Sequence, residues 1–165
     1  MREAVTAGEF RDVMGHFATG VAVVTTEGPS GMTANAVCSL SLDPLLALVC
    51  FDNGARTLGA VRESGRFGVS VLAAGQEDLA RRFASKLPEA EKFDGVAWTE
   101  HDGIPVLGGA LAWVGCTLHE LLAGGDHTIG IGAVVAAETG TGEPLVWWRG
   151  GYGRLAAREA PTSRP

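Results

Sequence analysis

Residues Ala110–Glu138 read ALAWVGCTLHELLAGGDHTIGIGAVVAAE. Two runs rich in β-branched, aliphatic and small residues, Ala110–Leu122 and Thr128–Glu138, meet at Gly124-Gly125, and they predict two long strands joined at the paired glycines. Shorter strand-like stretches surround this pair. Val21–Thr26 is compact and β-branched. Met32–Leu42 alternates small polar with apolar residues and is stopped by Asp43-Pro44. Leu45–Phe51 is a continuous apolar run expected to be buried on both faces. Phe67–Leu72, a short strand ending at Trp98, and Leu145–Trp148 with Tyr152–Leu155 complete the set.

Helical signals are fewer. Thr6 and Glu9 have capping-box spacing, and Phe10, Val13, Met14 and Phe17 recur as one apolar stripe in a helix expected to run to Gly20. Thr57–Ser64 predicts a short helix with Gly65 just past its end. Gln76–Ala84 predicts another, with Leu79 and Phe83 on one face and arginines on the other. Ser85–Gly95 reads as a charged, mobile connection, and the tail from Ala160 to Pro165 as frayed. Strands dominate without strict strand–helix alternation, which argues against a doubly wound parallel sheet. The class is mainly β: a closed or partly open antiparallel barrel with a few short helices, in one domain over 1–165 whose core spans about 10–155.

Composition narrows the function. The 165 residues are 46% hydrophobic and 19% charged, which is globular and excludes a disordered chain. A net charge of −6 argues against nonspecific nucleic-acid binding, so any anionic ligand must meet local cations. The 24 glycines follow no period, which excludes a collagen-like repeat. Cys38, Cys50 and Cys116 fit no zinc spacing, lie in apolar runs that suggest burial, and suit a reducing compartment. The mixed polar Met1–Phe10 segment does not resemble a signal peptide, and no apolar run is long enough for a spanning helix. A soluble, cytoplasmic protein that binds neither membrane nor nucleic acid is expected.

Four segments could carry chemistry. Gly31–Ser41 is rich in small side chains that let a planar ligand reach backbone N–H and C=O groups, though an ordinary edge strand reads the same way. Asn53-Gly54-Ala55-Arg56-Thr57 leads into a helix whose N-terminus can hold a phosphate, with Arg56 adding charge and Thr57 a hydroxyl and a possible N-cap. Arg81, Arg82 and Lys86 form a second basic cluster, equally readable as a solvated helix face. His119 and Gly124-Gly125-Asp126-His127 place two histidines and an acid around a turn. No third ligand stands near for a metal, while an Asp–His pair suits acid–base chemistry. Near the C-terminus, Trp147-Trp148-Arg149-Gly150-Gly151-Tyr152 reads as a hairpin; Arg149 and Tyr152 could reach a dinucleotide, and the tryptophans suit a core or a subunit interface. Neither GxGxxG nor a P-loop is present.

Taken in order, Phe10–Val21, Val23–Thr26, Gly31–Asn35, Ser39–Pro44, Gly125–His127 and Arg149–Tyr152 resemble the short-chain flavin reductases, the reductase components of two-component monooxygenases, which have an FMN-binding split-barrel fold. The resemblance runs from about Phe10 to Leu155. It implies a homodimer that binds FMN or FAD, takes a hydride from NADH or NADPH, and releases reduced flavin to a partner oxygenase. It implies flavin contacts at Thr33, Ala34, Asn35, Ala36, Ser39 and Ser41, and along Phe51–Thr57 with Asn53, Arg56 and Thr57. Phe83, with Arg82 or Lys86, would line the phosphate region. His127 with Asp126, and Arg149 to Tyr152, would face the nicotinamide. Ala55, where the family often has a hydroxyl residue, and Ser70, where it often has Asn, depart from the pattern. The competing functions are a tight flavoprotein acting on its own organic substrate, a heme- or deazaflavin-binding barrel, and a non-redox ligand-binding member of the fold.

Overall fold

The computed structural model describes residues 4–155, so the tail expected to fray from Ala160 lies outside it. The described residues form four helices: α1 (Ala7–Met14), α2 (Arg56–Ser64), α3 (Glu77–Ala84) and α4 (Glu89–Phe93). The strands are β1 (Thr19–Gly20), β2 (Ala22–Thr26), β3 (Ser30–Ala34), β4 (Val37–Leu42), β5 (Leu45–Asp52) and β6 (Arg66–Val71). They continue with β7 (Trp98–His101), β8 (Ile104–Leu107), β9 (Ala112–Gly124), β10 (His127–Thr139), β11 (Val146–Trp148) and β12 (Gly151–Gly153).

Seven strands make one antiparallel sheet in the order β3-β2-β6-β9-β10-β5-β4. Its edges β3 and β4 do not pair, so the barrel is split rather than closed. The β9–β10 hairpin is its spine: His127 pairs with Gly124, leaving Gly125 and Asp126 in the turn, and Gly125 takes the left-handed φ of 75° such a turn needs. Strands β1, β11 and β12 form a small second sheet, and β7–β8 a separate hairpin.

The inner face of the large sheet is packed around Phe51 and Phe67, whose rings meet edge-to-face at 5.9 Å. Two glycines of β10 make that possible. A Cβ on Gly130 would stand 2.5 Å from the Phe51 ring, and one on Gly132 would stand 2.6 Å from the Phe67 ring. A second cluster joins Val21, Val23, Leu72, Phe83 and Leu145 beneath α3.

Several expectations change. The first helix stops at Met14 with Gly15 as its cap, and the expected apolar stripe is left exposed among the described residues: Phe10, Val13 and Phe17 are 60%, 68% and 71% exposed. Leu45–Phe51 is buried on one face only, because the alternate residues Leu46, Leu48 and Cys50 face outward. Met32–Leu42 is two strands, since the chain leaves the β2 edge at Asn35-Ala36 and crosses to β5, where the Cys50 amide donates to the Ala36 carbonyl. Ser85–Gly95 contains α4, which buries Lys92 and Phe93. Trp98 begins a strand instead of ending one, and β8 follows it. Cys116 is buried and its thiol is pushed up to about 11 by that burial, whereas Cys38 is exposed because it lies on the outward face of β4.

Candidate active site

The site is organised by the free edge of β3. Gly31 shows which backbone groups turn outward there: its amide donates to Glu89 Oε2 at 2.8 Å, and its carbonyl accepts from Lys92 Nζ at 2.9 Å. In an antiparallel edge strand this orientation repeats every second residue, so the main-chain groups of Thr33 face the same way. The Thr33 hydroxyl donates to the Ala80 carbonyl at 2.6 Å, so it tethers α3 and leaves the backbone as the residue's polar offering. Gly31 permits the close fit of α3, since a Cβ there would lie 2.7 Å from the Phe83 ring.

Thr33 and Ala84 are shared by two cavities, one on each side. The larger, about 460 Å³, lies between β3, the start of α2 and the end of α3, and presents Arg56, Thr57, Ser85, Lys86 and Glu89. At its end, α2 opens with Ala55 as an N-cap that offers no side-chain acceptor, and its first turn carries no acid. The Leu58 amide donates to the Ala55 carbonyl at 3.2 Å, but the Arg56 and Thr57 amides have no side-chain cap, and an anion finds them together with the Arg56 and Lys86 side chains. Thr57 is the second helical residue rather than the cap, and its buried hydroxyl faces Ser30 Oγ at 3.3 Å. The smaller cavity, about 230 Å³, is apolar and lined by Val21, Ala34, Asn35, Trp147 and Tyr152. The Trp147 and Tyr152 rings meet at 4.9 Å, and the Arg81 guanidinium lies 5.0 Å from the Tyr152 ring centre. Burial raises the Tyr152 phenol above its ordinary range, against the opposing pull of Arg81.

The β9–β10 turn joins the rim of this site through Asn53. Its backbone amide donates to the Asp126 carbonyl at 3.1 Å, its side-chain amide donates to the Gly125 carbonyl at 3.0 Å, and its side-chain oxygen accepts from Thr128 at 2.7 Å. Asp52, paired with His127 in the β5–β10 register, accepts from the Gly54 amide at 2.6 Å. The loop entering α2 and the Asp126-His127 turn are thus one rigid unit built from segments more than seventy residues apart. His127 Nδ1 lies 2.8 Å from Asp126 Oδ1. The hydrogen bond and charge of His127 hold the Asp126 carboxyl below the usual carboxylate range, with the Arg11 charge of α1 adding to the effect. An ionised carboxylate can only accept, so Nδ1 carries the proton and Nε2 is left for a ligand.

A family model, the flavin reductase-like domain, matches residues 14–156. The chain belongs to the flavin reductase-like family. It is 42% identical over 162 residues to the NADH-dependent FAD reductase of Streptomyces globisporus, covering 94% of this chain and 89% of that protein. It is 40% identical over 155 residues to the reductase subunit HsaB of a flavin-dependent monooxygenase from Rhodococcus jostii, covering 91% and 78%. Among solved structures, it superimposes on BorF, the flavin reductase component of a bacterial two-component tryptophan halogenase, with a TM-score of 0.86 at 40% identity, covering 93% of this chain and 100% of BorF.

Seen as a member of this family, the chain brings Thr33, Ala34, Asn35, Arg56, Thr57, Phe83, Lys86 and Tyr152 to the two cavities. Asn53, Asp126 and His127 stand together on the adjoining turn. Phe83 is buried and contributes a wall; Phe51 is wholly buried in the core against Phe67 and lines neither cavity. Other predicted residues are engaged elsewhere. Arg82 donates to the Asp94 carbonyl. Ser39 and Ser41 lie along β4 outside both cavities, with Ser41 accepting from the Asp43 amide at 3.2 Å. Arg149 packs over Trp148 at 5.6 Å. His119 sits where the β9–β10 register slips, five positions before the Gly124 that pairs His127, so the two histidines do not converge. Ser70 is buried and receives the Leu107 amide at 3.3 Å, a packing role. Sequence reasoning missed Glu89 and Lys92, whose i, i+3 spacing was the available signal within a stretch read as mobile.

Proposed function

We propose that the chain is an NAD(P)H-dependent flavin reductase that releases reduced flavin to a separate oxygenase. The observation that carries this reading is the outward-turned β3 backbone standing between a cationic cavity and an aromatic one, beside an Asp–His turn. That arrangement suits a flavin: main-chain groups of Thr33 to Ala36 for its polar ring edge, and the α2 amides with Arg56, Thr57 and Lys86 for its phosphate. When bound, the flavin supplies the hydride acceptor, and that chemistry belongs to the two nucleotides. The protein binds and orients. Asn53 fixes the loop against the turn, the Asp126 carboxylate holds the His127 ring with Nδ1 protonated, and Nε2 would be left to meet a nicotinamide. The names of the relatives support NADH as donor; either FMN or FAD fits the cradle. Three free thiols suit a cytoplasmic setting, and no helix among the described residues is long and apolar enough to cross a membrane.

The oligomer is a homodimer in this reading. The stripe of α1 and outward residues of β4, β5 and β10 leave large apolar side chains exposed, among them Phe10, Val13, Leu42, Leu45 and Val135, and a second copy of the same chain would cover them.

Steady-state oxidation of NADH and of NADPH with added FMN, FAD or riboflavin tests the activity. Turnover is expected only with added flavin, and the absence of turnover with all three would remove the reductase reading. His127→Ala is expected to slow flavin reduction about tenfold or more while changing flavin affinity little; equal loss in both would show that His127 is only part of the binding wall.

A further inference from the structure

The cationic cavity contains a carboxylate. Glu89, the first residue of α4, accepts at Oε1 from Arg56 Nε at 3.1 Å and from Lys92 Nζ at 3.2 Å. At Oε2 it accepts from the Gly31 amide at 2.8 Å and from Ser30 Oγ at 3.2 Å. Burial opposes the charge, but the Gly31 amide, Lys92 and Arg56 together hold the carboxyl below its ordinary range. Arg56 is engaged further, since its Nη2 donates to the Leu87 carbonyl. Lys92, only 5% exposed, is divided between Glu89 and the Gly31 carbonyl. Of the three cations lining the cavity, Lys86 alone makes no ion pair among the described residues. Asp52, the other acid at this cavity, is turned onto the Gly54 amide.

A phosphate entering here meets two cations already satisfied by an anion of the protein. We propose that Glu89 sets the affinity for the flavin phosphate: it is a resident carboxylate that competes with the phosphate for Arg56 and Lys92 and keeps flavin binding weak enough for release. The inference rests on the flavin reading of the site and adds to it the residue that makes the flavin diffusible. The physical ground is Coulombic. A phosphate monoester near −2 in charge gains from Arg56 and Lys92 what Glu89 has not already taken, and the loss is large where water is partly excluded.

The test compares two probes, FMN and riboflavin, which share the ring and differ in the phosphate. The full-length wild type and Glu89→Gln are titrated with each by flavin fluorescence. Glutamine keeps an acceptor for the Gly31 amide and removes the charge. The expected result is FMN binding tightened about tenfold with riboflavin binding changed less than about twofold. A merely structural Glu89 would alter both ligands alike. The Glu89→Gln/Lys92→Met double variant removes the buried ammonium with its partner, so no buried charge is stranded if the single variant folds poorly. It is expected to tighten FMN by about threefold, again without riboflavin. FMN affinity that is unchanged or weaker in whichever variant melts cooperatively overturns the proposal. A wild type that binds neither probe overturns this inference, and one that also fails to bind FAD overturns the flavin reading with it.

Discussion

Helices α1 and α3 are both eight residues long, both amphipathic, and opposite in fate. Helix α3 buries Ala80 and Phe83 against β3 and the cluster beneath it. Helix α1 buries none of its residues among the described ones, although it too carries a phenylalanine on its apolar stripe. The difference lies in what each helix faces. Helix α3 meets an edge strand opened by Gly31, where a ring can lie on the backbone. Helix α1 is tied down at its end, where the Gly15 carbonyl accepts from the Arg149 amide at 2.9 Å, and its apolar residues Phe10, Val13 and Met14 stay exposed. An amphipathic pattern therefore states that a face will be covered; the fold around it decides whether the cover is the same chain or another.

The largest expected effect lies on the covered helix. Phe83→Ala removes a ring buried to 1% exposure that packs edge-to-face on Phe93 at 4.9 Å. It should cost about 3–5 kcal/mol in thermal or denaturant unfolding, and it should loosen α3 from the site it walls. A loss below about 1 kcal/mol would mean that the cluster collapses readily around the gap. On the uncovered helix and just past its end, Phe10→Asp with Phe17→Asp should leave the fold of each chain intact and dissociate the proposed homodimer. Burying one such side chain contributes about 1.5–3 kcal/mol, so the dissociation constant should rise at least roughly a hundredfold. Sedimentation equilibrium reads this directly. Wild-type association in the double variant would place the interface elsewhere and leave α1 without a partner.

The same contrast marks what the sequence could tell. The capping box, the α2 helix with Gly65 behind it, α3, and the long β9–β10 pair were all legible, because each depends on residues close together in the chain. Burial was legible only where both neighbours were local. Leu45–Phe51 reads as buried on both faces because its composition is uniform, yet its alternate residues Leu46, Leu48 and Cys50 face outward and stay only partly covered. The site divided in the same way. Thr33, Arg56 and Lys86 were visible as small-residue, helix-start and basic signals, and they do line the cavities. The role of Asn53 as a clamp depends on Gly125 and Thr128, far along the chain, and the carboxylate at Glu89 depends on β3. Arg82 carries the same signal as Lys86, but it lies within α3 and donates to the Asp94 carbonyl, whereas Lys86 follows the helix and lines the cavity.

The smallest effect is at the start of α1, and it probes whether the helix stands by its own caps or by its cover. An isolated helix of eight residues is too short to persist in water on propensity alone. Locally, Thr6 accepts from the Glu9 amide at 3.2 Å while Glu9 Oε2 accepts from the Thr6 amide at 2.8 Å. Those hydrogen bonds from Thr6 hold the Glu9 carboxyl below its ordinary range. A depressed carboxyl stabilises the folded form above the unfolded pKa, and that contribution fades as the pH falls through the folded value. Thr6→Ala should therefore lower the melting temperature by no more than a few degrees at neutral pH and remove part of the acid sensitivity of α1, followed by hydrogen exchange at its amides. If the cover dominates, the exchange rates at Val13 and Met14 will follow protein concentration more steeply than they follow the Thr6 substitution. If they follow the substitution alone, α1 is held by its cap, and the aromatic stripe has some use other than joining two chains.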